Sequence, residues 1–343
     1  MTKSDLPTKR TVSIYVDEKT LDVIDKDAKR AGVTRNTLIT QQLKSLTPKE
    51  VDDNEKPLII VTSSHKGGVA KTITAGNLAV EFALSGKKTL AIDLDGQGSL
   101  SLYLGVYDED GTKPSIAEVM IPNPATGECL PLFKTINKAK TTDADGNVIT
   151  IDNLDVVPCD LRFDSADSLM KNGQSAGIDT RLRNAIEDLL AEQKGYGEKL
   201  YDVIIIDCPP ALGLTATNAI IAMEAGNKNS LVIIPVRADG FSKRGMQNTI
   251  NAIKNIAKQR RTEEVNWVLL ATNNEPRTNI ARYLETTIHE DYPYAQFFKT
   301  KINKAVAITE SSLFFTPLAY YENGEKSRES YIDLMHEIEE MSN

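Results

Sequence analysis

Residues 64–72 read Ser-His-Lys-Gly-Gly-Val-Ala-Lys-Thr, and this stretch decides the fold. An apolar run at residues 58–61 precedes it, and residues 73–84 follow with apolar side chains at helical spacing. Strand, glycine turn and helix in this order are the context of a phosphate-binding loop, because free N–H groups and the positive end of the helix face one anionic site. Lys71 would reach the β- and γ-phosphates, and the Thr72 hydroxyl would hold Mg²⁺. The residues expected to bind ATP are Lys66, Gly67, Gly68, Val69, Ala70, Lys71, Thr72 and Ile73.

The loop departs in two ways from the common pattern G-x-x-x-x-G-K-[ST]. Ala70 stands where the glycine before the lysine belongs, which is compatible with a phosphate loop provided that its backbone keeps a negative φ. A second lysine, Lys66, opens the loop. The resulting pattern K-G-G-x-x-K-[ST] resembles the deviant phosphate loop of the ParA/MinD group of ATPases. This resemblance implies that Lys66 and Lys71 are catalytic, and that Lys66 reaches the partner's nucleotide across a homodimer interface. The alternative is a glycine turn that binds nothing.

Two acidic residues follow the next apolar strand, predicted at residues 89–94. Asp93 and Asp95 lie at its carboxyl end, where open α/β sheets bind ligands. The segment Asp-Leu-Asp-Gly-Gln resembles the D-x-D-P-Q segment of ParA proteins, with Gly96 in place of proline. The resemblance implies that Asp95 prepares the attacking water and that Asp93 lies near Mg²⁺. The alternative is a solvated turn after a strand.

A third acid, Asp207, ends the fully apolar run at residues 203–206. A buried strand that ends in Asp beside a phosphate loop is the Walker B arrangement, whose carboxylate holds the water shell of Mg²⁺. Cys208, Pro209 and Pro210 follow, and the segment resembles the D-x-P-P motif of ParA proteins. The resemblance implies that these three residues form a nucleotide-sensing switch. ATP and Mg²⁺ are therefore the expected cofactors.

Strands alternate with helices from residue 58 onwards, which predicts an α/β domain with a doubly wound, mostly parallel sheet of the P-loop NTPase type. The domain is expected over residues 58–343, and the likeness to ParA proteins spans residues 58–335. Residues 106–153 are rich in Pro, Gly, Asp and Thr, and they are interpreted as an insertion of unknown role. Within them, residues 145–147 (Asp-Gly-Asn) predict a hairpin turn.

Residues 1–46 form a separate predicted module, followed by a polar linker at residues 47–57. Residues 11–16 alternate as a strand, and helices are predicted at residues 17–31 and 35–46. So small a β-α-α unit needs a partner chain to bury a core. It resembles the ribbon-helix-helix repressors, in which two paired strands enter the DNA major groove. The resemblance implies sequence-specific DNA contacts by Thr11, Ser13, Tyr15, Thr34 and Arg35. The alternative is a module that docks on the body of the protein.

The charge is unevenly distributed along the 343 residues, whose net charge of −8 argues against a protein that simply coats DNA. Residues 1–50 carry ten Lys and Arg against seven Asp and Glu, whereas the remainder carries thirty against forty-one. In ParA proteins, basic residues of the C-terminal region bind DNA without sequence preference. The residues that would do so here are Lys243, Arg244, Lys254, Lys258, Arg260, Arg261, Lys301 and Lys304. The alternative is a solvated helix face.

Other functional classes are disfavoured by what the sequence lacks. No apolar run approaches the ~18–20 residues of a membrane helix, and residues 1–10 lack a signal-peptide core. Three cysteines and three histidines are too scattered for a metal cluster or a nucleophile triad. We therefore expect a cytoplasmic protein with no membrane contact, and the ParA resemblance implies that it associates with the nucleoid.

The ParA resemblance implies a DNA partition ATPase. It would bind ATP with Mg²⁺, form a homodimer, assemble on DNA and hydrolyse ATP slowly under stimulation by a centromere-binding, ParB-like partner. The N-terminal module would repress the protein's own operon. Two alternatives remain open. A MinD-like membrane-cycling ATPase needs a basic amphipathic C-terminal helix, whereas residues 333–343 are acidic. A repressor that uses ATP only as a ligand would show no useful turnover.

Overall fold

The computed structural model divides the chain into two units, Met1–Asp52 and Asp53–Asn343, each described by itself. The described residues are 18–30, 35, 56–143, 145–172, 177–194, 201–237, 242–275, 286, 288, 290 and 292–341.

In the first unit, helix α1 spans Glu18–Arg30, which agrees with the helix predicted from Asp17. Ala28 on its apolar side is buried. Arg35 forms an ion pair with Asp25 of α1, so its guanidinium is engaged within the unit. The predicted DNA-contacting residues Thr11, Ser13, Tyr15 and Thr34 lie outside the described residues, as does the predicted strand.

The second unit is built on a single sheet of seven strands. Their bounds are β1 Leu58–Thr62, β2 Thr89–Asp93, β3 Asn137–Thr142, β4 Val148–Val157, β5 Val203–Asp207, β6 Leu231–Arg237 and β7 Asn266–Thr272. The strand order is β3-β4-β2-β5-β1-β6-β7. Neighbouring strands are parallel except for β3 and β4, which are antiparallel. The predicted doubly wound, mostly parallel sheet is confirmed.

Helices cover both faces of this sheet. Their bounds are α2 Lys71–Leu84, α3 Ser99–Tyr103, α4 Ile116–Met120, α5 Ala166–Asn172, α6 Arg181–Lys194, α7 Leu214–Ala222, α8 Ser242–Arg260, α9 Val306–Leu313 and α10 Glu325–Met341. Alternate residues of β1 enter separate core clusters, Ile59 in one and Ile60 in the other. A strand that is buried on both faces of the sheet needs apolar side chains at almost every position, and β1, β2 and β5 have this composition.

Residues 106–153 contribute to the sheet itself. They contain α4, all of β3 and the first part of β4. The predicted hairpin is present: the Asp143 N–H donates to the Asn147 carbonyl at 2.9 Å, and the Asp143 carboxylate accepts from the Asn147 N–H at 2.8 Å. The hairpin adds an antiparallel edge to the parallel strands.

The C-terminal helix α10 packs on α2, the helix that follows the phosphate loop. Tyr331, Leu334 and Ile338 of α10 are buried in the same core cluster as α2. Arg328 donates to both carboxylate oxygens of the buried Glu81 in α2, at 2.7 and 3.0 Å. The apolar side of α10 is thus covered by protein. Among the helices of the described residues, none has the length and apolar character to cross a membrane.

Candidate nucleotide site

The loop between β1 and α2 is held from outside by the ends of two neighbouring strands. The Val69 carbonyl accepts a hydrogen bond of 3.1 Å from the Thr272 hydroxyl at the end of β7. The Gly68 carbonyl accepts one of 3.2 Å from the Arg237 guanidinium at the end of β6. Val69 is fully buried. The conformation of the loop is therefore fixed by tertiary contacts with distant residues, to which the sequence analysis assigned no role.

The two lysines of the loop are tied to each other and to α8. The Lys71 ammonium, which is mostly buried, donates to the Lys66 carbonyl at 3.2 Å. The His65 N–H donates to the Thr249 hydroxyl of α8 at 3.1 Å. A Cβ added to Gly245 of α8 would lie 3.2 Å from the Lys66 Cβ, so this helix packs closely against the lysine stem. The start of the loop is thus anchored on α8, and the Lys71 side chain reaches back to the Lys66 carbonyl within the same loop.

Ala70 adopts a conformation that the sequence reasoning did not expect. Its φ is +64° and its ψ is 29°, which is the left-handed region, and it is the N-cap of α2. The condition of a negative φ, under which alanine was considered compatible with the loop, is not met. A Cβ in this region costs about 1–2 kcal/mol, which explains why glycine is the common residue before the lysine. The contacts of Gly68 and Val69 with β6 and β7 hold the chain in this turn.

Asp207, at the end of β5, joins the phosphate loop to the sheet. Its Oδ2 accepts a hydrogen bond of 2.6 Å from the Thr72 hydroxyl, and its Oδ1 accepts one of 2.8 Å from Thr62. Thr62 lies opposite Asp207 in the register of β1 and β5. Burial raises the pKa of Asp207 to about 6, although the two hydroxyls and the Lys71 charge oppose this shift. A hydroxyl beside a carboxylate is the hard-oxygen chemistry that Mg²⁺ prefers, so Thr72 and Asp207 fit this ion.

Asp93 lies beside Asp207 in the register of β2 and β5. Its Oδ2 accepts from the N–H and the hydroxyl of Ser101, at 2.9 and 2.7 Å. Its Oδ1 accepts from the Asp95 N–H at 3.1 Å. Burial, and after it the Asp207 charge, raise the pKa of Asp93 to about 7. Its role at Mg²⁺ stays a prediction, and the contacts give it another task, which is to fix α3 and the turn that carries Asp95.

The turn after β2 explains why glycine replaces the proline of the ParA segment. Asp95 is half-buried, and its Oδ1 accepts from the Gln97 N–H at 3.1 Å. A Cβ added to Gly96 would lie 2.1 Å from the Asp164 Oδ1 and 2.8 Å from its backbone nitrogen. The close approach of Asp164 therefore leaves no room for a proline ring at position 96.

The predicted switch residues directly follow Asp207. The Cys208 N–H donates to the Thr62 carbonyl at 3.1 Å, and burial raises the pKa of the Cys208 thiol well above its usual range. Pro209 is half-buried and Pro210 is exposed. The segment thus begins anchored in the core and emerges at the surface, where Pro210 is accessible to a ligand or a partner.

The predicted non-specific DNA residues do not share one environment. Arg260 donates to the Glu224 carboxylate at 2.9–3.1 Å and lies 3.6 Å from that of Asp179. Lys304 pairs with Glu275 at 3.0 Å. Lys254 contacts the Tyr294 hydroxyl, and its ammonium lies 4.8 Å from the centre of that ring.

Exposure further separates these basic residues. Arg244, Lys258 and Arg261 are exposed, whereas Lys301 is half-buried. Lys243 belongs to α8, but its side chain lies outside the described part of the chain. Their DNA contacts stay predictions, and Lys258 and Arg261 are both exposed near the C-terminal end of α8.

Fold and site together define a P-loop nucleoside triphosphatase with a doubly wound sheet. A family model described as an AAA domain matches residues 58–266. Over 82% of its length the chain is 28% identical to the sporulation initiation inhibitor protein Soj of Bacillus subtilis, covering 97% of that protein. It is 30% identical to the chromosome partitioning protein ParA of Myxococcus xanthus, over 82% of this chain and 87% of that one. The chain belongs to the ParA family of partition ATPases.

Solved structures agree on the fold. A plasmid partition protein from Borrelia burgdorferi B31, bound to AMPPNP, superposes with a TM-score of 0.58 and covers 84% of this chain and 98% of that one, at 22% identity. The apo structure of McdA from Cyanothece gives a TM-score of 0.60 at 18% identity and covers 83% of this chain and 99% of that one.

Proposed function

We propose that this protein is a DNA partition ATPase that binds ATP with Mg²⁺ and hydrolyses it. The observation that carries the proposal is the contact of Thr72 with Asp207, which supports a magnesium site beside a lysine-bearing phosphate loop. The 30% identity to a chromosome partitioning protein supports DNA segregation as the purpose of the cycle. The AMPPNP bound by the Borrelia burgdorferi relative supports an adenine nucleotide as the ligand.

Each residue of the site has a task in this proposal, because phosphoryl transfer requires positioning and charge neutralisation more than covalent chemistry. Lys66 and Lys71 neutralise phosphate charge. Thr72 and Asp207 hold Mg²⁺, which when bound neutralises charge on the phosphate oxygens. Asp95 orients the attacking water.

The ATP cycle would be coupled to assembly. Two copies of the chain would form a dimer around ATP, with Lys66 acting on the partner's nucleotide. The dimer would bind DNA non-specifically at the nucleoid, and a centromere-binding, ParB-like protein would stimulate slow hydrolysis. The N-terminal module would bind its own operator. Replacement of Thr11, Ser13 and Tyr15 with alanine in the full chain tests this last step: operator footprinting should lose its sequence preference while ATP hydrolysis persists.

The two alternative functions make different demands, one on the surface of α10 and the other on the rate of ATP hydrolysis. A MinD-like cycle on a membrane needs an exposed apolar C-terminal helix face, whereas Tyr331, Leu334 and Ile338 are buried. A repressor that uses ATP only as a ligand would bind nucleotide without hydrolysing it.

Hydrolysis and dimerisation measured on matched variants test the proposal. Lys71→Ala should abolish ATP binding, because the polyphosphate loses its main counter-charge. Lys66→Ala should retain ATP binding but remain monomeric with ATP in light scattering, and Asp95→Ala should form a dimer that does not turn over. Lys326→Ala, on the exposed side of α10, is the control and should behave as wild type. Unchanged ATP affinity in Lys71→Ala would remove the phosphate-loop assignment, and binding without hydrolysis in wild type would favour the repressor.

A further inference from the structure

Asp167 of α5 caps a helix that belongs to another part of the chain. Its Oδ1 accepts from the Thr215 N–H at 2.8 Å and from the Thr215 hydroxyl at 2.6 Å, and its Oδ2 accepts from the Leu214 N–H at 3.0 Å. These groups begin α7, directly after the loop that carries the predicted switch. A Cβ added to Gly213 would lie 1.5 Å from the Asp167 Oδ2. The far end of the switch loop is therefore fixed by one carboxylate.

Asp164 makes the corresponding contact with the loop after β2. Its two carboxylate oxygens accept from the Gln97 side-chain amide at 3.2 and 3.4 Å. Gly96 approaches the same carboxylate so closely that only glycine fits without a shift. Asp95, the residue proposed to orient water, directly precedes this contact. Two loops that reach the nucleotide site are thus held by carboxylates three positions apart.

The segment that carries both carboxylates is itself firmly anchored. The Asp160 Oδ1 accepts from the Arg162 N–H at 2.9 Å and from its Nε at 2.8 Å, and the Arg162 guanidinium also pairs with Glu118 of α4. Phe163 and Met170 are buried in the core. A segment fixed in this way is a continuous physical connection between the two loops.

We infer that Asp164 and Asp167 are positioning residues that couple the loop after β2 to the switch loop after β5. The inference rests on the proposed ATP hydrolysis. Movement of the switch segment on nucleotide binding would pull on Asp167, and the anchored segment would pass this to Gln97 and so to Asp95. Neither carboxylate needs to touch ATP for this effect.

Conservative variants separate coupling from nucleotide binding. Asp167→Asn and Asp164→Asn keep one oxygen acceptor and remove the charge. Each should lower kcat roughly ten- to hundredfold, as expected when a reacting group is misplaced from a distance. The affinity for a fluorescent ATP analogue should stay within about twofold, since a loss of kcat alone marks an interaction that acts only in the transition state. Ser168→Ala, exposed on the same helix, is the matched control and should match wild type.

A double-mutant cycle between Gln97→Ala and Asp167→Ala tests the coupling, because Asp167→Ala removes all three hydrogen bonds to the start of α7. If the loops act through one segment, either change breaks the connection, and the double variant should be no slower than the slower single variant. Independent structural defects would instead multiply in kcat, and that result would overturn the coupling. Wild-type kcat in Asp167→Asn would overturn it as well. Absence of hydrolysis in the wild type is a separate outcome that removes the proposed function itself.

Discussion

Thr72 donates a 2.6 Å hydrogen bond to the Oδ2 of Asp207, a residue 135 positions later in the chain. The contact joins the first turn of α2 to the carboxyl end of β5. In the proposed reaction the Thr72 hydroxyl would hold Mg²⁺, and the Asp207 carboxylate would hold the water shell of the ion. The pair is therefore a direct target for experiment.

Thr72→Ala should lose the magnesium dependence of ATP binding. The variant lacks one oxygen ligand, and the affinity for ATP in the presence of Mg²⁺ should fall about 10- to 100-fold, the range seen when groups that support a metal site are removed. Thr72→Ser keeps the hydroxyl and should retain most of the affinity. Calorimetric titrations with and without Mg²⁺ measure the difference. Equal magnesium dependence in both variants would exclude Thr72 as a ligand.

The nucleotide-free protein should lose stability as the pH rises from about 4 to 6. An aspartate in the unfolded chain has a pKa of about 3.9, whereas burial raises that of Asp207 to about 6. The folded state therefore binds more protons in this window, and the free energy of unfolding falls as the pH rises. Asp207→Asn should remove a loss of stability on the order of 3 kcal/mol. Urea unfolding at several pH values measures it, and identical slopes in both proteins would contradict the prediction.

Ala70→Gly should stabilise the protein. It removes the cost of a left-handed alanine, about 1–2 kcal/mol, and adds chain entropy to the unfolded state, about 0.4–1 kcal/mol. A net gain of about 1 kcal/mol is expected in urea unfolding. The control is Ala75→Gly inside α2, where the same change should cost about 1 kcal/mol because φ there is helical. Destabilisation by Ala70→Gly would show that the strain is relieved elsewhere.

Arg328→Ala should destabilise the packing of α10 on α2. The change leaves the Glu81 carboxylate buried without its partner, and since Arg328 is itself partly exposed we expect a cost of about 2–3 kcal/mol. Adding Glu81→Leu to this variant removes the buried charge and should restore much of the loss. Lys326→Ala on the same helix should change stability by less than about 0.5 kcal/mol. A double variant as unstable as Arg328→Ala alone would show that the buried charge is not the cause.

Lys258→Ala with Arg261→Ala should weaken ATP-dependent DNA binding equally for all sequences. The slope of log affinity against log salt should become shallower by about 0.9 for each DNA phosphate that the variant no longer neutralises. Arg260 is a poor choice for this test because its guanidinium is already paired with Glu224 and lies near Asp179. Lys140 on β3, at the opposite end of the sheet, provides the control. An unchanged slope would place the DNA surface elsewhere.

The parts of the site that sequence reasoning predicted correctly are those specified locally. The apolar run of β1, the following loop and the apolar spacing of α2 lie within 30 residues. The apolar run that ends in Asp207 is likewise recognisable as a strand from its own residues. Residue type and sequence neighbours decide such features, because strand, turn and helix signals are short-range. The hairpin within residues 106–153 was predicted for the same reason.

The features that were missed depend on contacts across the sheet. The backbone conformation of Ala70 depends on Gly68 and Val69, whose carbonyls accept hydrogen bonds from Arg237 and Thr272. Arg237 and Thr272 lie far from the loop in the sequence. Asp164 and Asp167 carry no motif, and only the fold brings them to the two loops. Arg260 was grouped with DNA-binding residues because spacing shows its charge but not the acidic partners that face it. Tertiary contacts of this kind leave no local pattern.

The position of β5 between β1 and β2 has a consequence for synthesis of the protein on the ribosome. Thr62 and Asp207, which pair across β1 and β5, are separated by 145 residues. At about 5–20 residues per second, the phosphate loop leaves the ribosome roughly 7 to 30 s before the strand that completes its site. During that interval the apolar β1 lacks both of its partner strands in this sheet, β5 and β6. A nascent chain therefore exposes the apolar β1 until both partner strands have been made, and the contacts of Thr62 and Thr72 with Asp207 can form only at that late stage.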